Sequence, residues 1–127
     1  MSVKEVVPFL AVASMPRSLA FYAEGLRFEI EDEWRPEGEI RWCMLRRGGA
    51  RLMLQQDQAS TGKGVVLCLM CDDAVALYRE FQGRGVEVRE PYVGNGLWVT
   101  SVADPDGHRL DFESPADVPE ETRLSEL

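Results

Sequence analysis

The sequence predicts an α+β protein built from two tandem βαβββ modules, and an internal repeat is the main reason. Residues 43–56, CMLRRGGARLMLQQ, superimpose without a gap on residues 101–114, SVADPDGHRLDFES, at an offset of 58. At an offset one residue larger, the apolar segment 6–14 superimposes on the apolar segment 65–73. Similarity at a fixed spacing along a chain indicates a repeated structural unit. We therefore expect the two halves of the chain to fold in the same way.

The length sets the domain organisation. A chain of 127 residues suffices for one ordinary domain with its own core and is too short for two full-sized domains. The C-terminal end is polar and contains a proline, so we expect it to cover a sheet edge or to fray. We predict a single domain over residues 1–127, made of module one at about 4–57, module two at about 63–115, and a C-terminal tail at 116–127.

Each module opens with a strand and then a helix. The stretches 6–13 and 65–71 are short, apolar and rich in β-branched or bulky residues, which is typical of strands. In module one, Ser14 stands just before a proline, and this pair is typical of a helix start. In module two, Asp72 or Asp73 precedes the helical pattern AVALYREFQG and can cap it.

Three further strands complete each module. At the offset of 58, segment 28–32, FEIED, superimposes on segment 86–90, VEVRE, so we expect a strand at each place. The last two strands are joined by RRGG in module one and by DPDG in module two. Both tetrapeptides are typical of hairpin turns.

Composition excludes several classes of function. The formal net charge of -8 argues against binding to the nucleic-acid backbone, which needs a basic surface. The sequence has no apolar run long enough to span a membrane, and Lys4 and Glu5 interrupt the place of a secretory signal, so we expect a cytoplasmic protein with no membrane partner. The three cysteines, Cys43, Cys68 and Cys71, cannot all pair within the chain. We expect them to be buried thiols.

Two motifs within the repeat point to a known family. The early SLAFYAEGLRF and the closing DPDGHRLDFES, in a chain of two βαβββ modules, resemble the vicinal oxygen chelate superfamily. This superfamily includes glyoxalase I, bleomycin resistance proteins and extradiol dioxygenases. The resemblance covers residues 5–115 and implies two modules packed side by side, with their sheets rolled around a shared cleft. It specifies the fold and leaves the reaction open.

The resemblance also locates the positions that hold a divalent metal in the enzymes of the family. They correspond here to Val7, Met53, Val66 and Asp111. Valine has no donor atom and a methionine thioether suits soft metals only, so a hard divalent ion would have one ligand. We therefore predict no metal, no cofactor and no catalytic residue.

Two other features of the sequence could indicate a catalytic or metal site. His108 is the only histidine, and it follows the turn at a position that is usually polar and solvent-facing in this family. Cys68 and Cys71 are spaced as C-x-x-C, but on a strand two residues three apart point to opposite faces. We interpret the pair as core thiols.

The predicted ligand site is the cleft face of the strands, found by alternation along each strand. Bulky apolar side chains provide contact area there, and a few polar groups orient the ligand. The tryptophans of this set can stack on a flat ring or a cation. The predicted ligand-binding residues are Phe9, Trp42, Met44, Met53, Gln55, Val66, Met70, Trp98, Arg109, Asp111 and Glu113.

Two classes of function fit these features. The first is a metal-independent binding protein that sequesters a hydrophobic or cationic aromatic molecule, as the metal-free bleomycin resistance proteins of this family do. The second is a lyase, isomerase or dioxygenase whose metal is held by Asp111 with Glu113, His108 or a residue of a partner chain. The resemblance further implies a homodimer, and Pro8 on the first strand is compatible with a sheet edge.

Overall fold

The computed structural model describes residues 2–61 and 64–127, which form two compact units divided at that gap. The predicted start of module two at residue 63 lies outside the described residues. No helix in the described ranges has both the length and the apolar character needed to cross a bilayer.

The first unit is a mixed four-stranded sheet with a helix before its second strand. The strand order is β1-β4-β3-β2, with β1 parallel to β4 and the other pairs antiparallel. A π-helical segment, Ala20–Gly25, extends the helix, and short 3-10 turns occupy Pro36–Gly38 and Gln58–Ser60. The main elements are β1 (Phe9–Val12), α1 (Met15–Leu19), β2 (Glu29–Trp34), β3 (Trp42–Arg47) and β4 (Ala50–Gln56).

The second unit repeats this topology. Its strand order is β5-β8-β7-β6, again with one parallel pair, β5 with β8. The two units confirm the predicted α+β class with two βαβββ modules. The elements are β5 (Val66–Met70), α2 (Ala74–Gly83), β6 (Tyr92–Gly94), β7 (Leu97–Ala103), β8 (Arg109–Pro115) and a 3-10 turn at Leu124–Glu126.

The predicted helix starts are confirmed. The Ser14 hydroxyl accepts a hydrogen bond from the Arg17 N–H, and Pro16 occupies the first turn of α1. Of the two aspartates proposed for α2, Asp73 is the cap, because its carboxylate accepts a hydrogen bond from the Ala76 N–H at 3.0 Å. Each cap satisfies a donor that the helix itself leaves without a partner.

Strand alternation divides each sheet into a buried side and an open side. In the first unit Leu10, Leu45 and Leu54 are buried, and Cys43 lies among them, where burial raises the pKa of its thiol to about 11. In the second unit Phe112 of β8 packs edge-on against Phe81 of α2, with ring centroids 5.2 Å apart. The side chains that alternate with these buried residues point to the open side of each sheet.

The strand expected at 86–90 does not form. Only an isolated bridge between Val88 and Val102 remains there, and the regular strand β6 begins at Tyr92. Pro91 accounts for the difference, because it has no N–H to donate to a ladder. The residue equivalent to Pro91 in the first unit is Glu33, which pairs with Cys43 as part of β2.

The C-terminal tail covers the outer edge of β6. The Val93 N–H donates to the Thr122 carbonyl at 2.9 Å, and the Glu121 N–H donates back to the Val93 carbonyl at 2.8 Å. Val118 and Leu124 of the tail pack against the core cluster formed by Ala74, Val93 and Trp98. The β6 edge of the second sheet is thereby paired, which removes a template for association with another chain at that edge.

Candidate functional site

Each sheet has a side that is not part of the helix-covered core, and each of these two sides is a candidate surface of its own unit. We call the one in the first unit the first open face. Strand register aligns its side chains in rows across β1, β4, β3 and β2. Its members are Phe9, Ala11, Glu29, Asp32, Trp34, Trp42, Met44, Arg46, Arg51, Met53 and Gln55.

The middle of the first open face is apolar and aromatic. Phe9 lies opposite Met53, which in turn lies opposite Met44, and Asp32 on the edge strand β2 ends this row. In the neighbouring row Trp42 lies opposite Trp34, and the two rings belong to adjacent strands. Phe9 remains 53% exposed and Trp34 59% exposed. This face thus presents aromatic rings and thioether side chains to solvent.

One end of the first open face carries an ion network. Arg51 donates to the Glu31 carboxylate at 2.7 Å and to the Glu5 carboxylate at 2.8 Å, and Arg46 also pairs with Glu31. The hydrogen bonds from Arg46 and Arg51 lower the pKa of Glu31, and the carboxylate of Glu31 raises the pKa of Arg51. The Arg51 guanidinium is therefore already paired with two carboxylates, and it lies at the border of the apolar surface.

The second open face lies on the sheet of the second unit, and its central row is polar. Cys68 of β5 lies opposite Asp111 of β8, which lies opposite Ser101 of β7. The row on one side contains Val66 and Arg109, and the row on the other contains Met70, Glu113, Val99 and Tyr92. The second open face is defined by Val66, Cys68, Met70, Tyr92, Val99, Ser101, Arg109, Asp111 and Glu113.

Asp111 is the best-anchored polar group of the second open face. Its side chain is buried, with 6% of the residue exposed. One carboxylate oxygen accepts hydrogen bonds from the Ser101 hydroxyl at 2.7 Å and from the Arg109 Nε at 3.1 Å. The other accepts from the Arg109 Nη2 at 3.3 Å. A buried carboxylate requires such partners, and here they come from the neighbouring strand and from its own.

Cys68 and Glu113 lie beside Asp111. Although Cys68 is exposed, partial loss of solvent around its sulfur raises the pKa of the thiol, and the nearby Glu113 and Asp111 carboxylates raise it further. Among the described residues, one group of potential metal ligands comes together, with its ligand atoms all within 4.8 Å of one another. That group consists of Cys68, Asp111 and Glu113.

Ten of the eleven predicted ligand-binding residues lie on these two faces, and Trp98 does not. Trp98 is buried on the opposite side of the second sheet, in the core cluster with Ala74 and Val93. The correction follows from register, because Trp98 pairs with Ser114 and alternation then separates it from Glu113 and Asp111.

Two further expectations are wrong. His108 is buried rather than solvent-facing, and its Nδ1 accepts a hydrogen bond from the Val65 N–H at 3.1 Å. This bond ties β5 to the β7–β8 turn, so the imidazole has a structural role. Cys68 is exposed rather than buried, because its position on β5 points to the open side, whereas Cys43 is buried and Cys71 is half-buried.

Trp34, Tyr92, Val99 and Ser101 belong to the open faces and were not among the predicted site residues. Trp34 follows from counting alternate residues along β2 from its partner Trp42. Ser101 and Val99 follow from the hairpin, because the register of β7 against β8 determines which residues face Asp111. Tyr92 had no such signal, since the repeat misplaced the strand on which it lies.

The residues at the four family metal positions do not fit a hard divalent ion. Val7, Met53 and Val66 provide no hard donor, and Asp111 provides a carboxylate already hydrogen-bonded to Ser101 and Arg109. The parallel registers place Phe9 rather than Val7 opposite Met53, and Cys68 rather than Val66 opposite Asp111. If the ligand position on the first strand of each unit is moved by two residues, the second unit gains the thiol of Cys68. The first unit gains Phe9, which has no donor atom.

Comparison with models of protein families identifies one family for this chain. Residues 3–112 match the family model of the Glyoxalase/Bleomycin resistance protein/Dioxygenase superfamily. A search of curated proteins found no match to this chain.

Several solved structures share the fold. A bleomycin-binding protein complexed with bleomycin superimposes with a TM-score of 0.72 and 24% identity, over 90% of this chain and 100% of the other. TnmS3, an antibiotic-binding protein from Streptomyces sp. CB03234, gives 0.73 and 22%, over 91% and 100%. The bleomycin-binding protein of Streptomyces verticillus complexed with copper(II)-bleomycin gives 0.71 and 19%, over 92% and 99%.

Proposed function

Because the chain belongs to the Glyoxalase/Bleomycin resistance protein/Dioxygenase superfamily, we propose that it binds and sequesters a small planar organic cation on its open sheet faces. The observation that carries the proposal is the exposed aromatic and thioether surface of the first open face. The proposed binding requires no resident metal and no catalytic group. The proposed ligand is an antibiotic-like molecule with a flat apolar part.

The first open face supports the apolar half of this proposal. Large side chains such as Phe9 and Trp34 normally lose contact with water on folding, and here they keep about half of their surface exposed. Contiguous exposed apolar surface marks a place of binding. Trp34 and Trp42 on adjacent strands can stack on a flat ring, and the thioethers of Met44 and Met53 adapt to its outline.

The second open face supports the cationic half. Arg109 partly neutralises Asp111, whereas Glu113 adds a carboxylate on the same face. Two acidic groups and one basic group leave this surface with an excess of one negative charge. The formal net charge of -8 over the whole chain adds a weaker, long-range attraction for cations.

The structural relatives support the class of ligand. Three proteins of this fold are described as bleomycin-binding or antibiotic-binding. The enzymatic alternative needs several hard donors, and three of the four corresponding positions here are Val7, Met53 and Val66. We therefore favour metal-independent binding over metal-dependent catalysis. The three cysteines form no disulfide, which is compatible with the reducing cytoplasm, where we propose that the protein acts.

The assembly that we propose is a homodimer. Strands β1 and β5 are edge strands of their sheets, and the apolar side chains Val6, Phe9 and Val66 near these edges are largely exposed. A second copy of the chain can cover such edges. We expect light scattering to give about twice the chain mass of 14.3 kDa at micromolar concentration. A mass of one chain across that range would contradict the dimer.

Titration with a fluorescent planar cation tests the proposed function directly. We expect a cationic acridine dye to bind the purified protein, and to keep binding it after treatment with a chelator. Replacing the exposed Trp34 by alanine should weaken binding roughly fivefold, the scale of about 1 kcal/mol for a lost aromatic contact. The matched control is Trp98→Phe, which changes a tryptophan in the core of the second unit.

The outcomes of this titration separate the alternatives. Equal dye affinity for Trp34→Ala and the unaltered protein would contradict ligand binding on the first open face. Loss of dye binding after chelation would contradict metal independence and favour the enzymatic class.

A further inference from the structure

The second open face holds three potential metal ligands that the family positions do not explain. We call Cys68, Asp111 and Glu113 the β5–β8 triad. Their ligand atoms, one sulfur and two carboxylate oxygens, all lie within 4.8 Å of one another. Only Asp111 coincides with a family metal position, and the other two lie elsewhere on the same sheet. The triad is therefore a separate donor set, formed by two adjacent strands of one unit.

The internal repeat shows that the fold does not require these donors. The corresponding residues of the first unit are Phe9, Met53 and Gln55, which occupy the same rows of the first open face. Phe9 lies opposite Met53 as Cys68 lies opposite Asp111. An equivalent sheet thus folds with no charge at the three positions, and the negative cluster of the second unit calls for a role beyond folding.

The chemistry of the triad is suited to one type of ion. Thiolate together with carboxylates is a donor set that zinc accepts, whereas magnesium and calcium prefer oxygen alone. Three protein ligands, of which Cys68 is exposed and Asp111 buried, leave a further position for water or an exchangeable ligand. Met70, 66% exposed in the next row, adds a second sulfur nearby.

Two side chains, Ser101 and Arg109, hold the carboxylate of Asp111. The Ser101 hydroxyl holds one carboxylate oxygen at 2.7 Å and fixes its orientation, as outer-shell partners of metal ligands do. Arg109 also pairs with Asp111, but its side chain is 50% exposed and can turn to solvent at small cost. Asp111 can therefore keep its position while it exchanges an arginine for an ion.

We propose that the β5–β8 triad binds one divalent ion of the zinc type. On binding, Cys68 releases its thiol proton to solvent and the sulfur bonds to the ion, while Asp111 and Glu113 each contribute a carboxylate oxygen and Arg109 moves away from Asp111. No electron transfer is involved. The proposal goes beyond the binding of an organic cation and does not rest on it, although both use the carboxylates of Asp111 and Glu113.

Cobalt(II) is the probe of choice, because a thiolate bound to cobalt has a charge-transfer absorption that carboxylates alone do not produce. We expect the full-length, chelator-treated protein to develop this band with one equivalent of Co²⁺, and Zn²⁺ to remove it by displacement. Cys68→Ser should abolish the band. Ser101→Ala should retain the band and weaken cobalt binding by roughly tenfold or more, as outer-shell changes do.

Two variants keep the test decisive. Cys71→Ser is the matched control, since Cys71 also forms no disulfide and lies near the end of β5 outside the triad. Its thiol donates to the backbone carbonyl of Glu113 at 3.5 Å, a bond that a serine hydroxyl can also make, so this variant should keep the band unchanged. Glu113→Gln removes a ligand without removing the anchored Asp111 and should weaken cobalt binding at least tenfold. A band that survives in Cys68→Ser, or the absence of any band in the unaltered protein, would overturn the proposal. Dye binding by the metal-free protein is measured separately, so failure of the metal site and failure of the proposed function can be told apart.

Discussion

The variant Gly64→Ala should lose about 2–4 kcal/mol of unfolding free energy, the upper range for single substitutions that overfill a packed place. A Cβ atom at residue 64 would lie 2.2 Å from the carbonyl oxygen of Gly107 and 2.9 Å from its carbonyl carbon. Both atoms belong to backbone, so no side-chain rotation relieves the collision. The segment before β5 would have to move away from the β7–β8 turn. We expect the melting temperature to fall by roughly 10 °C.

The same displacement should reach the candidate site. Just after Gly64, the Val65 N–H donates to His108 Nδ1, and the Arg109 N–H donates to the Val65 carbonyl at 2.8 Å. These bonds set the register that brings Cys68 opposite Asp111. Gly49→Ala is the matched control, because a Cβ there meets no atom within 4 Å. If both variants melted at the same temperature, the close contact between Gly64 and Gly107 would not be a determinant of stability.

Much of the fold was predictable because the repeat, the helix caps and the turns agree with one another. Ser14 and Asp73 begin their helices by a local hydrogen bond, which a sequence pattern records well. The exception is β6, where the repeat predicts a strand at 86–90 and Pro91 interrupts it. For the tail the sequence left open whether it covers a sheet edge or frays, because its pairing with Val93 joins residues about thirty apart.

The candidate site was predictable to the extent that alternation along a strand reveals a face. Alternation identified Arg109, Asp111 and Glu113 as one face of β8, which register confirms. Trp98 was assigned to the site from the resemblance to the family rather than by alternation, and the register of β7 against β8 places it in the core. The parallel pairing of β5 with β8 determines that Cys68 rather than Val66 lies opposite Asp111. Pairing register between distant strands is a tertiary property, and one residue of slip exchanges the two faces.

The role of the acidic residues in strand β8 can be decided by neutralising them. Asp111→Asn keeps the oxygen that accepts from Ser101 and removes the charge that pairs with the half-exposed Arg109. An ion pair of that exposure contributes about 1 kcal/mol or less, so the unfolding free energy should change little. If the carboxylate orients a cationic ligand, however, loss of a charge-assisted contact should weaken binding of the acridine dye about tenfold.

The double variant Asp111→Asn with Glu113→Gln has the largest expected effect on binding. Both carboxylates lie on the second open face, and their combined removal reverses its excess charge from negative to positive because Arg109 remains. We expect the affinity for the cationic dye to fall by about two orders of magnitude, while an uncharged acridine of the same shape binds as before. Asp72→Asn, which removes an exposed aspartate before α2, is the control for the general effect of net charge. A melting temperature several degrees lower with dye affinity unchanged would instead assign Asp111 and Glu113 to the stability of the sheet.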